Sequence, residues 1–305
     1  MGLICPSSRP QTPAVVARCH RLIAEMGFKP VVGKHVLSSY GFTAGTDEQR
    51  LADLHGFVED DSIAAIFCLS GGYGALRLLP HLDFAAIERS RKLFVGGDDA
   101  SCLLNAINAA SGLVCLQALN LEQIKTKQTY DRLKTAVTST NVWAPLVAAQ
   151  SGEELLSGKH DFYCCVEGIA EGKLVGGNLT AFITLMGTPY QPDMNGKIIF
   201  LEDLGEQNGI LDRWFTTLYL SGDLQYAAAV VFGSFKDCGP KNSDTMLSVM
   251  DLFGDRLQYL GKISCFGLPF GQQDDSYPVP IGVNARLTAA EGRLEFLEPA
   301  LVLKN

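Results

Sequence analysis

Along the first third of the chain, apolar positions fall by turns into short unbroken runs and helix-spaced stripes. Gly2 to Cys5 is a short apolar run stopped at Pro6. Thr12-Pro13 then offers an N-cap and a first-turn proline, and Val15, Val16, Cys19, Leu22, Ile23 and Met26 recur at helical spacing until Gly27. Lys29 to Val36 reads as a second strand. Thr46 and Gln49 make a capping box ahead of a helix whose stripe is Leu51, Leu54 and Phe57. Ala64 to Leu69 is continuously apolar, as a strand buried on both faces requires. Lys92 to Val95 predicts another strand, followed by a helix from Ser101 to Ala110 and a strand at Leu113 to Leu116. This alternation predicts an N-terminal α/β domain, a doubly wound parallel sheet with helices on both faces.

From Gln123 onward the sequence turns more polar and loses its sustained apolar period. The predicted division is therefore 1–122 as the N-terminal domain with its elbow, 123–163 as a linker, and 164–305 as a smaller C-terminal α/β or β-rich domain. In that last part, Lys197 to Leu201 and Ala227 to Phe232 read as strands flanking a helix with Leu211, Trp214, Phe215 and Leu218. Short glycine-punctuated strands at Cys265-Phe266-Gly267 and Val279 to Gly282 are expected to finish the second domain.

Composition narrows the function classes. The chain has 305 residues, 47% apolar and 19% charged, with a net charge of -8 and no Lys/Arg run dense enough to neutralise a phosphate backbone, so nucleic acid is disfavoured as a partner. Nine Cys without a Cys-x-x-Cys pair read as reduced, mostly buried thiols rather than a zinc site. Ala100 to Leu121 carries no charge, yet Asn105, Asn108, Gln117, Asn120 and Gly112 within it predict a buried helix and strand, not a membrane span. The start of the chain shows no basic n-region and no long apolar core, so a cytoplasmic protein is expected, without cofactor, metal or membrane partner.

Three segments carry candidate chemistry. Ser70-Gly71-Gly72-Tyr73-Gly74 follows a buried strand, where glycines let the backbone turn and present N–H groups to a ligand. It is neither a Walker loop nor a dinucleotide fingerprint, and a plain glycine turn is the simpler alternative. Gly96-Gly97-Asp98-Asp99-Ala100-Ser101 is a strand–turn–helix junction of the kind that presents a nucleophile, with Asp98 at the elbow; a mere N-cap is again the simpler alternative. Leu201-Glu202-Asp203 ends a strand on carboxylates. Histidine is confined to His20, His35, His55, His81 and His160, so an imidazole base would have to come from the first domain or the linker.

Taken together, Ser70 to Pro80, Gly176-Gly177-Asn178-Leu179, Gly187-Thr188-Pro189, Leu201-Glu202-Asp203 and Gly267-Leu268-Pro269-Phe270-Gly271 resemble the LD-carboxypeptidase (muramoyl-tetrapeptide carboxypeptidase) family in order over nearly the whole chain. The resemblance implies a two-domain serine peptidase of murein tetrapeptides, commonly a homodimer, with a Ser–Glu–His triad split between domains. It places Asp98 at the serine position, Glu202 at the glutamate and Gln272 at the histidine, and Gly71, Gly72, Tyr73 and Asp99 at the substrate and oxyanion positions. Ser70 stands where the family's loop opens with arginine, and Ala118-Leu119 replaces a Gly-Pro.

Two of three catalytic side chains are thus absent. A carboxylate attacks an amide poorly, an amide side chain does not titrate near neutrality, and loss of either member typically removes ~10⁶-fold in turnover. One expected function is an altered hydrolase in which Asp98 and Glu202 act as paired carboxyls on a murein-derived fragment. The alternative is a non-catalytic pseudo-peptidase whose glycine loop still holds muropeptides or related amidated metabolites. An active serine LD-carboxypeptidase ranks behind both.

Overall fold

The computed structural model describes residues 1–149, 162–239 and 247–302. The first sheet is built from β1 (Gly2–Ile4), β2 (Val31–Val32), β3 (Ala65–Cys68), β4 (Leu93–Gly96) and β5 (Cys115–Gln117), all parallel, in the order β5-β4-β3-β1-β2. Helices α1 (Pro13–Glu25), α2 (Asp47–Glu59), α3 (Phe84–Ser90) and α4 (Ala100–Ser111) alternate with these strands. The order reverses at β1, so the carboxyl ends of β1 and β3 open the crevice where doubly wound sheets bind their ligands. Ser70 and the glycines follow directly from β3.

Two local expectations change. The strand foreseen over Lys29 to Val36 is only Val31–Val32, because the Asp53 carboxylate accepts the N–H groups of Lys34 and His35 at 3.0 and 2.9 Å and turns the backbone away. The polar crossing is not featureless either: α5 (Lys127–Thr138), capped by Thr126, buries Leu133, Ala136 and Val137, an apolar face too narrow to stand out as a period. The capping box of Thr46 and Gln49 forms as expected, whereas Thr12 caps α1 without a side-chain bond.

Among the described residues the second sheet has eight strands. They are β6 (Leu146–Val147), β7 (Tyr163–Val166), β8 (Ile169–Asn178), β9 (Ile198–Leu204), β10 (Ala229–Lys236), β11 (Ser264–Phe266), β13 (Asn284–Thr288) and β14 (Arg293–Phe296). Strands β8 to β11 run parallel and the others pair antiparallel around them. The strand at Val279, β12 (Val279–Ile281), does not finish this sheet: it pairs antiparallel with β5 and becomes the sixth strand of the first.

The uncharged stretch from Ala100 resolves into α4 and β5, with Ala100 to Ile107 buried between the sheets. Among the described residues, no helix is long and apolar enough to cross a membrane. All nine cysteines are unpaired, six of them buried.

Candidate active site

The site forms where strand ends of both sheets meet. After β3, Ser70 Oγ donates to Ser8 O at 2.6 Å, and the buried Arg50 guanidinium donates to Pro6 O and Gly74 O, so the glycine loop is anchored at both ends. After β4, the chain turns at Asp98, whose φ of 55° places a non-glycine residue in the left-handed region. That conformation costs on the order of 1 kcal/mol and is the signature of an elbow held by its surroundings. The hold is visible: Gly97 N donates to Asn120 Oδ1, and Ser101 N donates to Asp98 O to open α4.

Asp98 reaches back across the loop, its Oδ2 accepting the Gly72 N–H at 3.0 Å. Gly71 must be glycine for this to happen, since a Cβ there would lie 1.9 Å from the same oxygen. Asp99 faces elsewhere. Its carboxylate accepts from Ser7 Oγ at 2.5 Å and Ala75 N at 2.8 Å, and so staples the loop from behind.

From the second sheet, β9 delivers Glu202 and Asp203. Asp203 is satisfied by Asn178 Nδ2, Thr180 N, Thr180 Oγ1 and Leu204 N. Glu202 is 1% exposed and its Oε2 has no partner. Past β11, the chain folds over Glu202 at Gly271, whose φ of 105° and 2.9 Å approach of a virtual Cβ to Glu202 Cβ leave room for glycine alone. The next residue, Gln272, thereby lands beside that carboxyl.

Asp98, Glu202 and Gln272 line one narrow cleft, together with Gln117, Gln123 and Tyr277. The elbow and the Leu-Glu-Asp strand end, 104 positions apart in sequence, thus reach a common space. Tyr73 is exposed, edge-on to Phe42, and, like Gly71, Gly72 and Asp99, is not among the residues that line the cleft. Among the described residues, no histidine and no Lys or Arg lines it. His35 sits instead on Asp53, at 2.9 Å, and His160 lies outside the described residues. Three glutamine and tyrosine members, Gln117, Gln123 and Tyr277, escaped the sequence reading. Of these only Gln123 had a signal, since Asn120-x-x-Gln123 is a capping-box pattern, and it does form one.

Removal from water governs the electrostatics. Burial pushes the Asp98 carboxyl up to about 6, with the charges of Asp99 and Asp203 adding to it and the Gly72 N–H opposing it. Burial, reinforced by Asp203 and Asp98, raises Glu202 well above the usual carboxylate range. Both carboxyls that line the cleft therefore hold their protons to higher pH than a carboxylate in water does. Among the described residues, no group of three or more His, Cys, Asp or Glu is arranged to hold a metal ion.

Two α/β sheets joined around an elbow, with a carboxyl from each lining the space between them, define a two-domain hydrolase scaffold. The chain belongs to the LD-carboxypeptidase family: the model of its N-terminal domain matches residues 1–118 and that of its C-terminal domain residues 171–287. A probable murein peptide carboxypeptidase of Bacillus subtilis is 33% identical over 301 residues, covering 95% of this chain and 89% of that protein. The crystal structure of a muramoyltetrapeptide carboxypeptidase from Oxalobacter formigenes superposes with a TM-score of 0.83 at 25% identity, over 97% of this chain and 98% of that one. A structure of MccF in complex with glutamyl sulfamoyl guanosine gives a TM-score of 0.86 at 22% identity, over 99% and 96% of the two chains. Membership indicates a murein peptide carboxypeptidase-like protein.

Proposed function

We propose that this chain binds murein-derived peptides in its cleft and does not cleave them by serine chemistry. The observation that carries this reading is the seat of the Asp98 carboxylate on the Gly72 N–H, 3.0 Å away. Acyl transfer needs backbone N–H groups aimed at the oxygen that becomes negative in the transition state, and removing one such donor costs ~10²–10³ in turnover. Here a side-chain oxygen of the protein itself takes that donor. The position matching the family's serine is then an anion already hydrogen-bonded in place, and the position matching its histidine, Gln272, cannot accept a proton near neutrality. The family resemblance adds a homodimer to this proposal.

A second reading has its own observation. Asp98 at about 6 and Glu202 well above the carboxylate range form a pair whose protonation states are pushed apart, the condition for one carboxyl to act as acid while the other acts as base or nucleophile. Incubating the protein with a peptidoglycan digest and following both retention and consumption by mass spectrometry separates the two. Binding without cleavage gives retained fragments and no loss of any of them. Consumption that disappears in Glu202→Gln overturns the binding reading in favour of carboxyl catalysis, and release of free D-alanine from a murein tetrapeptide by the unaltered chain overturns both.

A further inference from the structure

The ligand group that the cleft recognises follows from the orientation of one side-chain amide. Asn120 N donates to Gln123 Oε1 at 3.0 Å, which fixes which end of the Gln123 amide faces inward. Its Nε2 must then point to Gln272 and donates to Gln272 Oε1 at 2.7 Å. With its oxygen used, Gln272 turns its Nε2 outward as a donor, and that atom has no partner although the residue is only 8% exposed. The backbone amide of a capping turn thus sets the polarity of a residue 149 positions beyond the relaying glutamine.

Opposite this donor stand acceptors. Glu202 Oε2 is buried without a partner, and Asp98 lines the same cleft with its Oδ2 accepting from Gly72. Each orphaned buried polar atom is costly until a ligand or water satisfies it. An arriving carboxylate could accept from Gln272 but would meet the Asp98 carboxylate, with no Lys or Arg among the described residues lining the cleft to offset it. An ammonium would suit the carboxyls and leave the Gln272 donor without an acceptor. A carboxamide meets both demands, its carbonyl oxygen on Gln272 Nε2 and its two N–H bonds on the carboxyl oxygens. A second narrow recess shares Ala118, Leu119 and Ser276 with the first and continues past Ile124, Leu133 and Pro278, so the group beside the amide meets apolar walls.

Resting on the binding reading above, we propose that the cleft selects a primary carboxamide: its ligands are amidated murein-type peptides. Gln272 and Glu202 read the amide, and Gln123 is a positioning residue that keeps Gln272 turned.

The test is calorimetric titration of the full chain with two synthetic murein tetrapeptides that differ only in ending in D-alanine or D-alaninamide. The amide is expected to bind at least about tenfold tighter, the scale of one well-placed hydrogen bond to a buried polar group. Gln272→Met keeps the side-chain length, removes the donor, and is expected to weaken the amide about tenfold and the free acid less, so that the preference narrows. Gln123→Glu, which replaces the relaying donor by an acceptor and lets Gln272 turn over, is expected to narrow the preference, with circular dichroism confirming an intact fold. Equal binding of the two peptides, or a preference that survives Gln272→Met, overturns the carboxamide assignment and leaves the binding reading standing. Failure of both peptides to bind overturns the binding reading and this assignment with it.

Discussion

At the scale of single residues, the site is a set of groups kept from water and only partly compensated. Asp98 holds one N–H, its neighbour Asp99 is turned into a structural staple, and Glu202 has an oxygen with no partner. This has a direct consequence for stability. An acid whose folded-state value is raised binds its proton more tightly in the folded protein than in the unfolded one. For Asp98, lifted from 3.8 to about 6, the stabilisation is fully present below the lower value and is lost as pH rises through the upper one. Urea unfolding between pH 4 and pH 7 should accordingly show Asp98→Asn with a flatter fall in stability toward neutrality than the unaltered chain. Parallel slopes in the two would mean that Asp98 is hydrated like a surface carboxylate. Much of this scale was legible in the sequence: the two glycines before Asp98, and Glu202 closing an apolar strand, brought both residues into view. The relay through Gln123 was not, because a hydrogen bond to a residue 149 positions away leaves no local pattern.

Elements are where local sequence and tertiary demand part company. Parallel strands buried on both faces announce themselves as continuous apolar runs, so β1, β3 and β4 were legible. The shortened β2 and the narrow-faced α5 were not, the first because a carboxylate from α2 captures its backbone and the second because few of its residues are buried. The uncharged α4 shows what the asparagine within it is for. Asn105 Nδ2 donates to Gly176 O at 2.7 Å, and Gly176 N donates to Asn105 Oδ1 at 3.1 Å, a two-way bond from the first sheet's helix to β8 of the second. Asn105 is fully buried, and its Nδ2 also donates to Ser101 O at 2.7 Å within α4. Asn105→Leu therefore orphans a donor and an acceptor together and should cost about 2–4 kcal/mol, far more than an exposed asparagine would. Equilibrium urea unfolding measures it, and a cost under about 0.5 kcal/mol would show that water or a shift of α4 replaces the clamp.

For the whole molecule, the question is whether two sheets with separate family models behave as separate folding units. Fold class could be read from strand–helix alternation, but the exchange of β12 into the first sheet could not. A three-residue strand carries no mark of its partner, and only the path of the chain after β11 brings Val279 to Gln117. That exchange is one of several ties. Thr126 and Thr129 donate through their hydroxyls to Asp274 O, Gln123 donates to Gln272, and Asn105 clamps β8. Each tie joins a residue before 130 to one after 170, and the cleft lies among them. Separating the sheets would strip the Glu202 and Asp98 surfaces and pull β12 from its edge, losses that no independently stable half would accept. The expected behaviour is one cooperative transition. Both tryptophans, Trp143 and Trp214, lie outside the first sheet and its helices α1 to α4, whereas far-ultraviolet circular dichroism reports helices throughout. Thermal or urea curves followed by tryptophan fluorescence and by circular dichroism should superimpose, and a helical transition at a midpoint distinct from the tryptophan transition would show that the first sheet melts on its own and that these ties do not couple the two.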